Sequence, residues 1–243
     1  MDRRRFIKYA AVPLVLPHLE LDIFVDDFDV EAITGLKPPE LIGSNYKLRK
    51  DAAQSFDAMS GAALMEGFKI RPVSSYRSFN DQKRIWNSKY QQFTTEDGLL
   101  PQQAILKIIE YSTIPGTSRH HWGTDIDIVD GNRKVEGDVL VSHLFQGDGP
   151  FAAFKSWLNT NASRYNFIEV YTSDQNRKGF KYEPWHFSYA PLSIKILKIY
   201  QEIDFIKLLK SLSIHGNDYF TNEFIGKYWD ENVLDINPIL KGK

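Results

Sequence analysis

Chemistry-bearing residues are concentrated in two places in this sequence. The run Ser118-Arg119-His120-His121-Trp122-Gly123-Thr124-Asp125-Ile126-Asp127 puts two imidazoles and two carboxylates into ten positions. A second group, Glu183-Pro184-Trp185-His186, sets another carboxylate and another imidazole among aromatics. A catalytic zinc takes nitrogen or oxygen ligands at about 2.0–2.2 Å from three protein side chains and leaves a further position open. His120, Asp127 and His186 supply such a set. Glu183, desolvated by Trp185 and Tyr182, suits proton transfer from an attacking water to a leaving amine, which is metal-assisted amide hydrolysis. Arg77, at the end of an expected strand, can clamp a carboxylate or stabilise an oxyanion. Ser118 can add a hydrogen bond to the substrate. A plainer role for Arg77 is a salt bridge to Asp81 at helical spacing.

These residues act together only if the chain brings them to one point. Asp125 to Val129 reads as a strand with Asp125 and Asp127 on one face and Ile126 and Ile128 on the other. His120 lies in the loop just before it, and Gly123 eases the turn between them. His186 joins if its strand lies beside that of Asp127. Glu183, three residues earlier, would face the opposite way on a regular strand, but Pro184 cannot donate to a ladder and can re-aim it. Asn166–Thr172 and Gly179–Tyr189 read as two strands of a hairpin joined by Ser173–Lys178.

Upstream, Asp51 looks like the cap of a helix to about Glu66 with Phe56, Met59 and Ala63 inward, ended by Gly67. Lys69–Tyr76 reads as a strand with Ile70 and Val73 as its core contacts. Ser78 or Asn80 can cap a helix through Tyr90 that turns Ile85 and Trp86 inward. Gln91–Leu100 is polar, Pro101 opens a helix ending near Tyr111, and Ile114-Pro115-Gly116-Thr117 is a turn. A helix follows Pro150 to about Ser163, and Pro191 opens one through about Ser211. Tyr219–Trp229 is a last short helix.

Composition narrows the alternatives. A chain of 243 residues is long enough for one substantial domain. The net charge of -1 offers no basic footprint for nucleic acid. There is no cysteine, so disulfides, thiolate metal sites and a cysteine nucleophile are excluded and any metal must be held by His, Asp or Glu. His18, His143 and His215 have no acidic partner at telling spacing, and His121 reads as a surface or supporting residue. Arg3-Arg4-Arg5 before the short apolar run Tyr9–Leu16 has the layout of an export signal and looks like a twin-arginine address. The expected organisation is an export signal over 1–18, an irregular lead-in over 19–40, a catalytic domain over 41–210 and a helical extension over 211–243. We expect no stable membrane span, and a monomer.

Ser74-Ser75-Tyr76-Arg77-Ser78, Ser118-Arg119-His120 through Gly123 to Asp127, and Glu183-Pro184-Trp185-His186 resemble, in order and spacing, the three motifs of the VanY-type zinc D-alanyl-D-alanine carboxypeptidases. That family is similar in its metal site to D-alanyl-D-alanine dipeptidases, lysostaphin-type endopeptidases and the hedgehog signalling domain. The resemblance covers about Leu41 to Tyr189. It implies an α+β fold with helices packed on a central antiparallel sheet, and zinc held by His120, Asp127 and His186. It further implies Glu183 as catalytic base, Arg77 and Ser118 as substrate contacts, and Gln82 as a further one. The implied substrate is the peptidoglycan stem peptide, cut at its terminal D-Ala-D-Ala bond outside the cytoplasm, in the periplasm or cell envelope. A dipeptidase, a peptidoglycan endopeptidase and an inactive zinc-stabilised binding module are the alternatives. Asp125 stands where the family pattern has a small apolar residue, usually alanine. On the same expected face as Asp127, it would support a histidine or touch the substrate.

Overall fold

The computed structural model describes residues 28–242. The expected export signal lies outside the described residues, as does the start of the lead-in. Four strands, β1 (Ile70–Ser74), β2 (Asp125–Asp130), β3 (Phe167–Glu169) and β4 (His186–Tyr189), form one antiparallel sheet in the order β1-β2-β4-β3. The α+β expectation is met. β2 is buried along its whole length, because strands flank it on both sides and both of its faces are covered. Pro72 is accommodated because β1 is an edge strand. Ile70, Pro72 and Ser74 are the inward positions of β1, so Val73 faces outward at 38% exposure; the register also slips between Pro72 and Ser74. Val73 is therefore not the core contact expected of it, because a period of two puts it on the face opposite Ile70.

The helices are α1 (Val30–Ile33), α2 (Lys50–Met65), α3 (Phe79–Gln91), α4 (Pro101–Ile108), α5 (Ala152–Asn161), α6 (Ala190–Tyr200), α7 (Phe205–Ser211) and α8 (Asn222–Tyr228). One sheet face packs Ile126, Ile128, Phe167 and Phe187 against Phe56 and Met59 of α2 and Phe154 and Leu158 of α5. The opposite face presents Asp125, Asp127, His186 and Ser188. Burying apolar side chains on one face and polar ones on the other follows from the period of two along a strand.

Ser78 caps α3 with a reciprocal Ser78–Asp81 capping box. Several expected spans are shorter than their sequence patterns, the first hairpin strand among them, which keeps only Phe167–Glu169. The long helix after Pro191 divides at residues 201–204, where Asp204 caps α7 by accepting from the Lys207 amide. The second hairpin strand keeps only 186–189, because Pro184 cannot donate to the ladder, although the Glu183 amide still donates to the Tyr171 carbonyl.

The C-terminal segment is built into the larger core: Leu212, Phe220, Ile225, Tyr228 and Leu240 share one apolar cluster with Trp86, Ile105 and Trp122. Tyr228 has a more specific task. Its hydroxyl lies 3.1 Å from the Ile114 amide and 2.7 Å from Thr117 Oγ1, bracing the turn that leads into Ser118. Removing this hydroxyl leaves a buried amide without its partner, so Tyr228→Phe is expected to cost about 1–3 kcal/mol in urea unfolding. An unchanged midpoint would show that the turn holds itself.

Candidate metal centre and active site

The two motifs meet because β2 and β4 pair in one particular register. Asp127 sits opposite His186 and Asp125 opposite Ser188. On the other side Asp127 faces Ser74 of β1. His120 arrives from a tight 3-10 turn over Arg119–Trp122, which Gly123 ends at φ +69°. A side chain at Gly123 would be strained at that φ, and its Cβ would lie 2.7 Å from Leu41 Cδ2. Glycine is therefore the residue that closes this turn with least strain.

Ligand atoms of His120, Asp127 and His186 all lie within 4.8 Å of one another, and all three residues are buried. His120 Nε2 is 3.4 Å from Asp127 Oδ2, and His186 Nδ1 is 3.8 Å from Asp127 Oδ1. The tautomers follow from the partners. His120 Nδ1 is 2.7 Å from the Ser75 carbonyl, which can only accept, so Nδ1 carries the proton and Nε2 offers its lone pair to the site. His186 Nε2 is 3.0 Å from Asp125 Oδ1 and donates to it, which leaves Nδ1 facing Asp127 and Glu183. Asp127 Oδ1 is buried with no hydrogen-bond partner. An orphaned carboxylate oxygen beside His186 Nδ1, with the other oxygen of the same carboxylate facing His120 Nε2, fits a divalent cation of the zinc type.

Charge in the site points the same way. Burial opposes a proton on His186, but Asp125, Asp127 and Glu183 outweigh it and push its pKa up to about 10. Their field demands positive charge at this ring. Burial would raise Asp127 as well, yet His120, His186 and Arg77 hold it below its ordinary value. Glu183 behaves differently. Its desolvation dominates, with Asp127 adding to it, and raises the carboxyl despite the 2.9 Å contact with His186 Nδ1. A buried carboxylate with raised proton affinity suits a group that takes up and returns a proton.

Asp125 forms the floor of this arrangement and is fully buried. Besides His186 it accepts from Arg119 Nε at 3.0 Å, from Ser188 Oγ at 2.8 Å and from Thr124 Oγ1 at 2.6 Å. Arg119 also donates to Ser188 Oγ at 2.8 Å and lies over the Trp122 ring. Burial works against its charge, but Arg119 foremost and then His186 and His120 bring Asp125 well below the usual carboxylate range. Of the two roles open to Asp125, the structure assigns the first: it fixes the ring of His186 from behind and does not line the cleft.

In front of these groups lies a cleft of about 510 Å³ lined by Arg77, Ser118, His120, Asp127, Glu183 and His186 among others. Arg77 does not pair with Asp81, which is taken up by Ser78 and Arg84. Its Nη1 donates to Gln82 Oε1 at 2.7 Å and its Nη2 to Ser74 Oγ at 3.0 Å. Gln82 is fully buried, and its amide nitrogen donates to the Thr113 carbonyl. With both ends used and no exposure, Gln82 steadies Arg77 and is not the substrate contact suggested by the motif.

His121, expected at the surface or in a supporting place, is fully buried. Its Nδ1 donates to the Arg77 carbonyl at 2.6 Å, and its Nε2 accepts from the Gly116 amide at 3.1 Å. Burial foremost pushes its pKa down to about 3, so it is a neutral strut between the two loops. Sequence patterning alone does not single out Arg119 and Ser188, which support Asp125, or Lys89, which lines the cleft. Ser188 follows His186 by two and so shares its face. Lys89 follows Gln82 by seven, which is two helical turns.

Residues 45–192 match the VanY family, described as D-alanyl-D-alanine carboxypeptidase. YodJ of Bacillus subtilis (strain 168) is 32% identical over 166 residues, which cover 68% of this chain and 53% of YodJ, so the chain spans about half of that relative. A bifunctional D-Ala-D-Ala dipeptidase and D-Ala-D-Ala carboxypeptidase, VanXYC of Enterococcus gallinarum, is 30% identical over 162 residues, covering 64% of this chain and 76% of VanXYC. Among solved structures, a D,D-pentapeptidase VanY from a VanB-type resistance cassette, in complex with Zn(II), superposes with a TM-score of 0.51 at 23% identity, covering 67% of this chain and 84% of that one. VanYB in complex with D-alanine-D-alanine gives 0.51 at 22% identity, covering 76% and 89%. At these identities the structural likeness speaks for the fold.

Proposed function

Because this chain belongs to the VanY family of D-alanyl-D-alanine carboxypeptidases, we propose that it is a zinc peptidase that removes the terminal D-alanine from peptidoglycan stem peptides. The observation that carries this reading is the joint placement, on one cleft, of the His120–Asp127–His186 group and the buried Glu183. Zinc and the D-Ala-D-Ala substrate come from relatives: VanXYC is named for D-Ala-D-Ala, and the VanY structure holds Zn(II).

His120, Asp127 and His186 hold the metal, which when bound supplies Lewis acidity to the scissile carbonyl and to the attacking water. Glu183 takes the proton from that water as its oxygen bonds to the carbonyl carbon. The same carboxyl then returns the proton to the amide nitrogen as the C–N bond breaks, which leaves a shortened peptide and free D-alanine. Arg77, steadied by Gln82 and Ser74, faces the charge that develops on the carbonyl oxygen, and a donor so placed is worth about 10²–10³ in rate. Ser118, buried at the cleft, holds the substrate backbone.

Stem peptides lie outside the cytoplasmic membrane, so the reading places the enzyme in the periplasm or envelope, with the Arg3-Arg4 segment as its export address. No helix among the described residues is long and apolar enough to cross a membrane. An intact Glu183 beside the metal ligands disfavours the binding module. Incubation with a synthetic pentapeptide ending in D-Ala-D-Ala, followed by product analysis, tests the reading. Free D-alanine that appears with metal and stops with chelator is expected. Release of the intact dipeptide would replace this reading with an endopeptidase one, and an uncut pentapeptide beside hydrolysed free D-Ala-D-Ala with a dipeptidase one.

A further inference from the structure

The cleft holds a second cation for which the mechanism above has no task. Lys89 projects from α3 into the cleft that contains Arg77 and Glu183. It is half-buried, and its ammonium donates to Ser112 Oγ at 2.7 Å. Among the described residues no carboxylate lies within ion-pair distance of it. Asp138, at the exposed rim of the same cleft, has its Oδ1 turned to the Leu140 amide at 2.9 Å. Arg77, beside Lys89, is likewise bonded only to the neutral groups of Gln82 and Ser74.

The cleft is therefore polarised. Carboxylates converge at the sheet, on the metal ligands, while two cations without carboxylate partners stand on the α3 side. Withdrawing an ammonium from water costs free energy that a hydroxyl contact does not repay. Burial foremost, with Arg77 second, bears down on the proton affinity of Lys89, and Glu183 and Asp138 offset only part of this. An anionic group on the substrate would complete the balance. Ser112 is arranged to help: its oxygen accepts from Lys89, so its own proton is free to donate.

We propose that the Lys89 ammonium and the Ser112 hydroxyl form a subsite for a carboxylate of the substrate peptide. This rests on the peptidase reading and sharpens it, because such a subsite selects peptides by an anionic group away from the bond that is cut. The carboxylate can come from the free C-terminus, just beyond the scissile bond, or from an internal acidic residue. An endopeptidase substrate would lack the first.

Calorimetric titration of the full, metal-loaded chain carrying Glu183→Gln, which prevents turnover, tests the subsite. Three ligands are compared: a D-Ala-D-Ala pentapeptide with one internal carboxylate, its C-terminal amide, and its internal amide. One amide is expected to bind about tenfold or more weaker than the free acid, and which one it is identifies the source. Lys89→Met, added to the same chain, is expected to weaken the free acid by a similar factor and to erase the difference between acid and that amide. Lys89→Arg should restore part of it. Ser112→Ala should shift binding in the same direction by less, and it serves if Lys89→Met fails to fold. Equal binding of acid and both amides by the Lys89-containing chain would overturn the subsite, as would a Lys89→Met loss shared equally by all three ligands. If the wild-type chain cleaves nothing while the acid–amide difference persists, the subsite stands and the peptidase reading falls.

Discussion

Replacing Glu183 by glutamine is expected to slow release of D-alanine by about 10²–10⁴-fold with metal content unchanged, the range by which a positioned general acid–base accelerates proton transfer. The two side chains have nearly the same shape, so the contacts around the buried position survive. Only the ability to accept and return a proton is lost. Glu183 is suited to that task because desolvation raises its proton affinity while His186 Nδ1, 2.9 Å away, keeps it aimed at the metal ligands. Initial rates together with elemental analysis of the purified variant check this. A variant keeping more than a tenth of the wild-type rate would remove Glu183 from the mechanism, and one that lost its metal would make it a ligand instead.

The second large effect is expected at Asp125, which touches neither the cleft nor the metal position. Asp125→Ala should weaken zinc binding by about 10–100-fold, the usual cost of removing the partner that orients a ligating histidine. It should also destabilise the fold by about 3–5 kcal/mol, because Arg119 would remain buried without its carboxylate. Both side chains are nearly inaccessible, at 4% for Arg119 and 0% for Asp125. Asp125→Asn separates the two effects. Its amide oxygen can still accept from His186 Nε2–H, so metal binding should fall less, while the lost charge opposite Arg119 should still lower the midpoint of thermal unfolding. Competition with a chromophoric chelator reads the first quantity and calorimetry the second. Wild-type zinc affinity in a folded Asp125→Ala would mean that the β-ladder alone fixes His186.

The His120–Asp127–His186 group that could hold a metal is legible in the sequence because it is carried by short stretches whose geometry is local. His120, Gly123 and Asp127 are related by one turn and one strand, and period two along β2 was enough to put Asp125 and Asp127 on one face. The Asp127–His186 pairing depends on strand register, and the sequence could state it only as a condition. What was not legible depends on contacts between distant segments. Of the partners of Asp125, Arg119 lies on the adjoining turn only six residues away, whereas Ser188 comes from β4 and depends on strand register. The strut formed by His121 needs Arg77 and Gly116 to be neighbours, and the exclusion of Gln82 from the cleft depends on the Thr113 carbonyl. Strand limits failed where backbone irregularity decided them, in the loop through Pro184 that shortens β4, while Val73 lies on the outer face simply because it is three residues from Ile70. The C-terminal segment is expected to pack on the domain, but its sequence does not say which residues it meets. In the fold its apolar residues meet Trp86, Ile105 and Trp122.

The most direct test of the central claim is a stoichiometric activity titration. The chain is stripped with chelator, zinc is added back in known amounts, and D-alanine release from the pentapeptide is followed. Activity is expected to be absent at the start, to rise linearly with added zinc and to level off at about one equivalent, as a single three-ligand site requires. His120→Ala should remain inactive throughout the same range. D-alanine release from the stripped chain, or full activity in His120→Ala, would contradict the account.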